Sequence, residues 1–227
     1  MKKVAFFDID GTVFRSSLLI ELIETCITEG IFPKEAKSGY AKEFAAWKNR
    51  EGTYETYIQA VIRVFEKHIQ GVYYGDFADV GRIVVAKQGK RIYKYTRDLI
   101  QDLRGKGYFI VAISQSPKTI LDEFCSAHGF DKVYGRVYEL GPRDLFTGVV
   151  TELDFIKDKA RVVERVLEKE GLSREHSIGV GDTEGDVPLL ESVEMPICFN
   201  PNMSLYTYAK GKGWPIVVER KDVVYTI

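Results

Sequence analysis

The chain has 227 residues, with 32 lysines and arginines against 33 aspartates and glutamates, a formal net charge of −1 and 45% hydrophobic residues. That length can bury one substantial core, or a core with a smaller inserted module. The balanced charge and apolar content exclude wholesale disorder and disfavour nucleic acid as a partner.

Three cysteines, Cys26, Cys125 and Cys198, lie far apart and form no Cys-x-x-Cys pair. Neither a disulfide framework nor a zinc site is indicated, and a reducing, cytoplasmic setting fits best. The opening "MKKVAFF" is cut short by Asp8 and Asp10, too early for a signal peptide, and the longest apolar runs are too short to span a bilayer.

Residues 3–7 are rich in Val and Phe, with apolar side chains at successive positions from Val4, which predicts a strand buried on both faces. The period then changes. Leu18, Leu19, Leu22, Ile23, Cys26 and Ile27 recur at helical spacing, as do Tyr40, Phe44 and Trp47, and then Tyr54, Tyr57, Ile58, Val61, Ile62, Phe65 and Ile69. A weaker helix is expected over 77–87, so residues 15–90 read as all-helical.

From Tyr93 the chain alternates. Expected in turn are a helix to about Lys106, a strand "YFIVAIS", a helix over 117–128, a strand "KVYGRV" and a hairpin through "GPRDLFTG". A helix over 157–170, a strand "HSIGVGD", a short helix, a strand "MPICFN", a last helix and a strand "WPIVV" follow. Alternation of this kind means an α/β fold, a doubly wound parallel sheet covered on both faces. Residues 1–14 and 91–227 form that core, and 15–90 are a helical cap inserted after the first strand.

In such a sheet, ligands bind beyond the carboxyl ends of the strands. The first strand ends in Asp8 and Asp10, two residues apart and therefore on one side. "YFIVAIS" ends in Ser114 and "HSIGVGD" in Asp182, with Asp186 four residues on. Carboxylates gathered in one crevice repel unless a cation compensates them. An oxygen-only donor set favours Mg²⁺, which most often works on phosphates.

Each residue also has a plain structural reading. Asp-Gly is a common turn, Ser116 before Pro117 is a good helix N-cap, Asp186 can cap a helix with Pro188 in its first turn, and Lys157 and Lys159 can be surface lysines. His68, His128 and His176 read as surface or helix-end residues, and Cys198 as a small core residue. The Tyr and Trp positions of the insertion are mostly core, with one or two facing a substrate pocket.

Together, "DIDGT", Ser114, a lysine and "GDTEGD" stand in a recognisable order. The chain resembles the haloacid dehalogenase superfamily of phosphohydrolases, in the branch containing phosphoserine phosphatase, and the resemblance runs its whole length. Two lysines in the first turn of a helix oppose its macrodipole and point to an anionic neighbour. That argument does not rank them; the family spacing selects Lys159, with Lys157 as the fallback.

The resemblance implies a phosphatase acting on a small phosphorylated metabolite. Asp8 would be the nucleophile and Asp10 the acid and base. Ser114, Lys159 and backbone N–H groups around Gly11 would hold the phosphoryl group. Mg²⁺ would be held by Asp8, the Asp10 carbonyl, Asp182 and Asp186. Alternatives of the same fold are phosphoserine phosphatase itself, a phosphotransferase, or an inactive binding module. Phosphoserine phosphatases carry a glutamate for the substrate ammonium where this chain has Ser17; Glu21, one helical turn on, is a possible substitute.

Overall fold

The structure, a computed structural model, describes residues 2–227. Strand β1 (Val4–Phe7) is buried along its whole length. Its side chains alternate between two apolar clusters, Ala5 and Phe7 joining one and Val4 and Phe6 the other. A strand clad on both faces needs this continuous apolar run, so the sequence pattern and the burial have one cause.

Helices α1 (Leu18–Thr28), α2 (Ala41–Lys48), α3 (Tyr54–Ile69) and α4 (Tyr74–Gln88) follow, with a 3-10 turn over Lys34–Gly39. Then come α5 (Lys94–Gly105), β2 (Phe109–Pro117), α6 (Lys118–Ala127), β3 (Lys132–Leu140) and β4 (Phe146–Thr151). The chain closes with α7 (Leu153–Lys157), α8 (Lys159–Glu170), β5 (Ile178–Gly181), α9 (Val187–Glu191), β6 (Met195–Phe199), α10 (Met203–Lys212), β7 (Ile216–Arg220) and β8 (Val223–Thr226).

The sheet order is β4-β3-β2-β1-β5-β6-β7-β8. The β3/β4 and β7/β8 pairs are antiparallel and the rest parallel. From β1 the chain builds outward through β2 and β3, then returns to add β5 on the other flank, so the strand order reverses beside β1. A crevice opens at such a point beyond the carboxyl ends.

One face of the sheet packs against α5 and α6 through Ile100, Leu103, Ile120, Leu121 and Phe124, in the same apolar cluster as Leu22, Val61, Phe65 and Val80 from the inserted helices. The other face carries Val162 and Val166 of α8, Leu189 and Leu190 of α9, and Leu205 of α10.

The β3/β4 hairpin clasps the insertion. Gly71 N–H donates to the Phe146 carbonyl, and Phe146 N–H to the Val72 carbonyl, at 2.8 and 2.9 Å. Phe146 packs edge-on against Phe77 and Tyr138, and Tyr138 edge-on against Phe65. Each buried ring of this size contributes roughly 1.5–3 kcal/mol over its exposed state, so the hairpin and the helices hold one another in place.

Three elements differ from the sequence reading. The helix expected over 157–170 is two helices, broken at Asp158, whose carboxylate caps α8 by accepting from Arg161 N–H. The helix expected over 77–87 begins at Tyr74. Strand β8 is a further element, with every residue exposed, so no apolar alternation marks it.

Candidate active site

Asp8 directly follows β1, Ser114 lies in β2, and Asp182 directly follows β5; all three reach one edge because these strands are parallel. Lys159 opens α8 and Asp186 ends a 3-10 turn after β5. Lys159 Nζ donates to Asp8 Oδ1 at 2.7 Å and to Asp186 Oδ1 at 2.6 Å. The lysine is 4% exposed and the two aspartates 6% and 1%.

Lys157 ends α7, where the macrodipole favours a cation. It is exposed, and the argument from an unfavourable dipole applies to Lys159 alone.

Asp186 does not cap α9 with its side chain. Its Oδ2 accepts from the N–H groups of Asp182 and Thr183, each at 3.0 Å, which fixes the turn carrying Asp182. Carboxylate oxygens of Asp8, Asp182 and Asp186 lie within 4.8 Å of one another. Burial pushes the Asp8 carboxyl up to about 7, against the pull of Lys159 and with further lift from Asp186 and Asp10. Asp182 is raised well above its ordinary value by burial, then by Asp8 and Asp186. Burial works against the Lys159 cation, but the charges of Asp186 and Asp8 outweigh it and raise its pKa.

Three carboxylates thus face one ammonium. The remaining negative charge and the oxygen-only donors fit a hard divalent cation better than zinc or copper, which prefer nitrogen and sulfur.

Asp10 stands apart from that cluster. Its Oδ1 accepts from Leu18 N–H at 2.6 Å, and its Oδ2 from the hydroxyls of Ser114 at 2.7 Å and Ser116 at 2.8 Å. Gly11 has φ +84°, and a Cβ there would collide with the Asp182 carboxylate. Its own N–H points to the carbonyls of Phe14 and Ser16, at 3.0 and 3.1 Å. Of the backbone N–H groups expected around Gly11 to hold a phosphate, that of Gly11 itself is engaged within the turn, and the residue provides clearance and a left-handed backbone.

Ser17 is the buried N-cap position of α1 and its side chain caps nothing. Glu21 is paired with Arg91 at 2.8 Å.

Three residues escape the sequence reading. Thr12 donates to Asp182 Oδ1 at 3.2 Å and lies within "DIDGT", so adjacency was a signal. Ser116 reads as a helix cap, yet α6 is capped at Pro117 without a side-chain bond. Tyr54 sits at the start of α3, 37% exposed, and burial first, then the charges of Asp10 and Asp182, raise its phenol pKa. The sequence expects the Tyr and Trp positions of these helices to be mostly core with one or two at a substrate pocket, and does not single out Tyr54.

Residues 5–191 match the model of the haloacid dehalogenase-like hydrolases. The chain belongs to this family. It is 25% identical over 226 residues to the inhibition of morphological differentiation protein of Streptomyces azureus, covering 95% of this chain and 78% of that one. A histidinol-phosphatase of Neisseria meningitidis is 23% identical over 96% of this chain and 99% of its own. A phosphoserine phosphatase of Archaeoglobus fulgidus is 28% identical over 115 residues, 51% of this chain and a third of its own length (33%).

Among solved structures, a protein of unknown function from Bordetella pertussis superposes with a TM-score of 0.73 at 19% identity, over 95% of this chain and 98% of that one. An apo phosphoserine phosphatase gives 0.64 at 19% identity, over 98% and 96%. At these identities the likeness is one of fold.

Gly11→Ala combines a side chain on a left-handed backbone, a strain of order 1–3 kcal/mol, with a collision against Asp182. Titration calorimetry with Mg²⁺ is expected to show binding to the wild-type chain and at least tenfold weaker binding to the variant. Equal affinities would contradict the part given to Gly11.

Proposed function

We propose that the chain is a phosphatase that hydrolyses a small phosphomonoester through an aspartyl-phosphate intermediate at Asp8. The observation that carries this reading is the Asp8 carboxylate, buried in the crevice and held by Lys159 at 2.7 Å, with the carboxylate of Asp10 on the other side of the same loop facing hydroxyl donors. Membership of a hydrolase family and the phosphatase relatives support it.

A carboxylate oxygen of Asp8 attacks phosphorus in line, and the bond from phosphorus to the ester oxygen breaks as the new one forms. Asp10 gives its proton to the departing oxygen, which otherwise leaves as a poor alkoxide. Water then attacks phosphorus, its proton returns to Asp10, and phosphate leaves with Asp8 restored.

Lys159 keeps a fixed positive charge beside Asp8 as charge shifts to the phosphoryl oxygens, and Ser114 donates a hydrogen bond to one of them. The side chains of Asp8, Asp182 and Asp186 and the carbonyl of Asp10 would hold Mg²⁺. When bound, it supplies Lewis-acid stabilisation of the phosphoryl oxygens and offsets the carboxylate repulsion. The helices of residues 15–90 act as the cap over the crevice, with Tyr54 facing the leaving group.

Asp8→Asn is expected to lose all measurable turnover of an aryl phosphate in Mg²⁺ buffer, and EDTA to silence the wild-type chain; activity that survives either treatment contradicts the reading.

The substrate is a phosphate ester other than phosphoserine. Ser17 offers no carboxylate to an ammonium, and Glu21 is already paired with Arg91. A charge-assisted hydrogen bond of this kind contributes about 1.5–3 kcal/mol, or roughly ten- to a hundredfold in kcat/KM. In a panel of sugar, polyol, lipid-headgroup and amino-alcohol phosphates, phosphoserine is expected to fall below the best substrate by at least tenfold. Phosphoserine ranking first would overturn this assignment of Ser17 and Glu21.

A further inference from the structure

Ser116 is 3% exposed, and its hydroxyl lies on Asp10 Oδ2 at 2.8 Å instead of on the helix that follows it. The backbone of β2 explains how it gets there. Pairing with β3 runs to Ile113 opposite Tyr134 and resumes only at Pro117 opposite Arg136, so β2 uses more residues than its partner over this stretch. Such a bulge releases its residues from the ladder and re-aims their side chains. Alternation then sends Ser114 and Ser116 to the crevice and Gln115 to the opposite side, where its amide donates to the Ile156 carbonyl at 2.6 Å.

We propose that Ser116 is the positioning residue of Asp10, holding its Oδ2 toward the ester oxygen while Ser114 serves the phosphoryl group. The inference rests on the phosphatase reading. Ser114 has a single hydroxyl proton, which cannot go to Asp10 and to a phosphoryl oxygen together. Its Oγ is anchored by Ser116 N–H at 3.0 Å, so the hydroxyl turns toward substrate with its oxygen in place.

Ser116 then supplies the side-chain donor on Oδ2. The terminal torsion of an aspartate is broad, and the Leu18 N–H contact on Oδ1 fixes only one end of the carboxylate. A second contact on Oδ2 sets its plane. A hydroxyl both donates and accepts, so that contact persists with or without the proton that Asp10 delivers.

A residue that merely fills a buried polar space would affect all esters alike. A residue that aims the proton donor matters where the leaving group needs a proton. The test compares kcat/KM for p-nitrophenyl phosphate, whose phenolate leaves unaided, with that for the fastest alkyl phosphate of the panel above, using the whole chain with Mg²⁺.

Ser116→Ala is expected to lose roughly ten- to a hundredfold on the alkyl ester, a fraction of what general acid catalysis provides. Its loss on the aryl ester should be less than threefold, with KM little changed on both. Ser116→Thr, which keeps the hydroxyl, should behave as wild type. If the alanine variant does not fold, Ser116→Cys, with a similar shape and a weak donor, carries the same comparison.

Equal losses on the two esters, or no loss on the alkyl ester, with wild-type activity intact, overturn the inference alone. A wild-type chain that turns over neither ester overturns the phosphatase reading and this inference with it.

Discussion

Lys159 sends its ammonium between Asp8 and Asp186, at 2.7 and 2.6 Å, in a place from which water is almost excluded. A buried charge without partners costs several kcal/mol, and so does each buried carboxylate. Pairing offsets these terms only where the geometry holds. That requirement propagates: Asp186 spends its other oxygen on the N–H groups of Asp182 and Thr183, fixing the turn after β5. Asp182 in turn takes the Thr12 hydroxyl and lies against Gly11, so the loop after β1 is set by the same arrangement. That loop aims Asp10 at the first N–H of α1, where the inserted helices begin.

The insertion is held from two sides. Its first helix starts on the Asp10 carboxylate, and the loop between α3 and α4 pairs with Phe146 of the β3/β4 hairpin. Between these points Tyr54 packs edge-on against Trp47, with ring centroids 5.6 Å apart. The carboxylate cluster thus sits at buried strand ends, whereas Tyr54 opens α3 at the surface.

Much of this was legible because the physics was local. The apolar run before Asp8 forces a two-faced strand, and the change of period after it marks the helices, so the α/β core and the strand-end carboxylates could be read directly. The hairpin through Gly141 and the surface or helix-end placing of the histidines were also legible. What escaped depends on contacts across the fold. Asp158 breaks a helix by capping the next one, β8 lies exposed with no alternation to betray it, and Glu21 is occupied by an arginine 70 residues away. Ser116 misled because Ser-Pro has a strong local meaning as a cap, whereas β2 runs on through it and turns it, like Ser114, onto the Asp10 carboxylate. The choice of Lys159 over Lys157 came from family spacing, since the dipole argument treats both alike until the break at Asp158 is known.

The central claim is that phosphorus passes through the carboxylate of Asp8. Acyl phosphates are reduced by borohydride to the alcohol, so turnover quenched in acid, treated with borohydride and analysed by peptide mass spectrometry reads the attachment site directly. The account predicts homoserine at residue 8, only when substrate and Mg²⁺ are both present, and none at Asp10, Asp182 or Asp186. Reduction at another aspartate, or substrate consumed with residue 8 never converted, would contradict it.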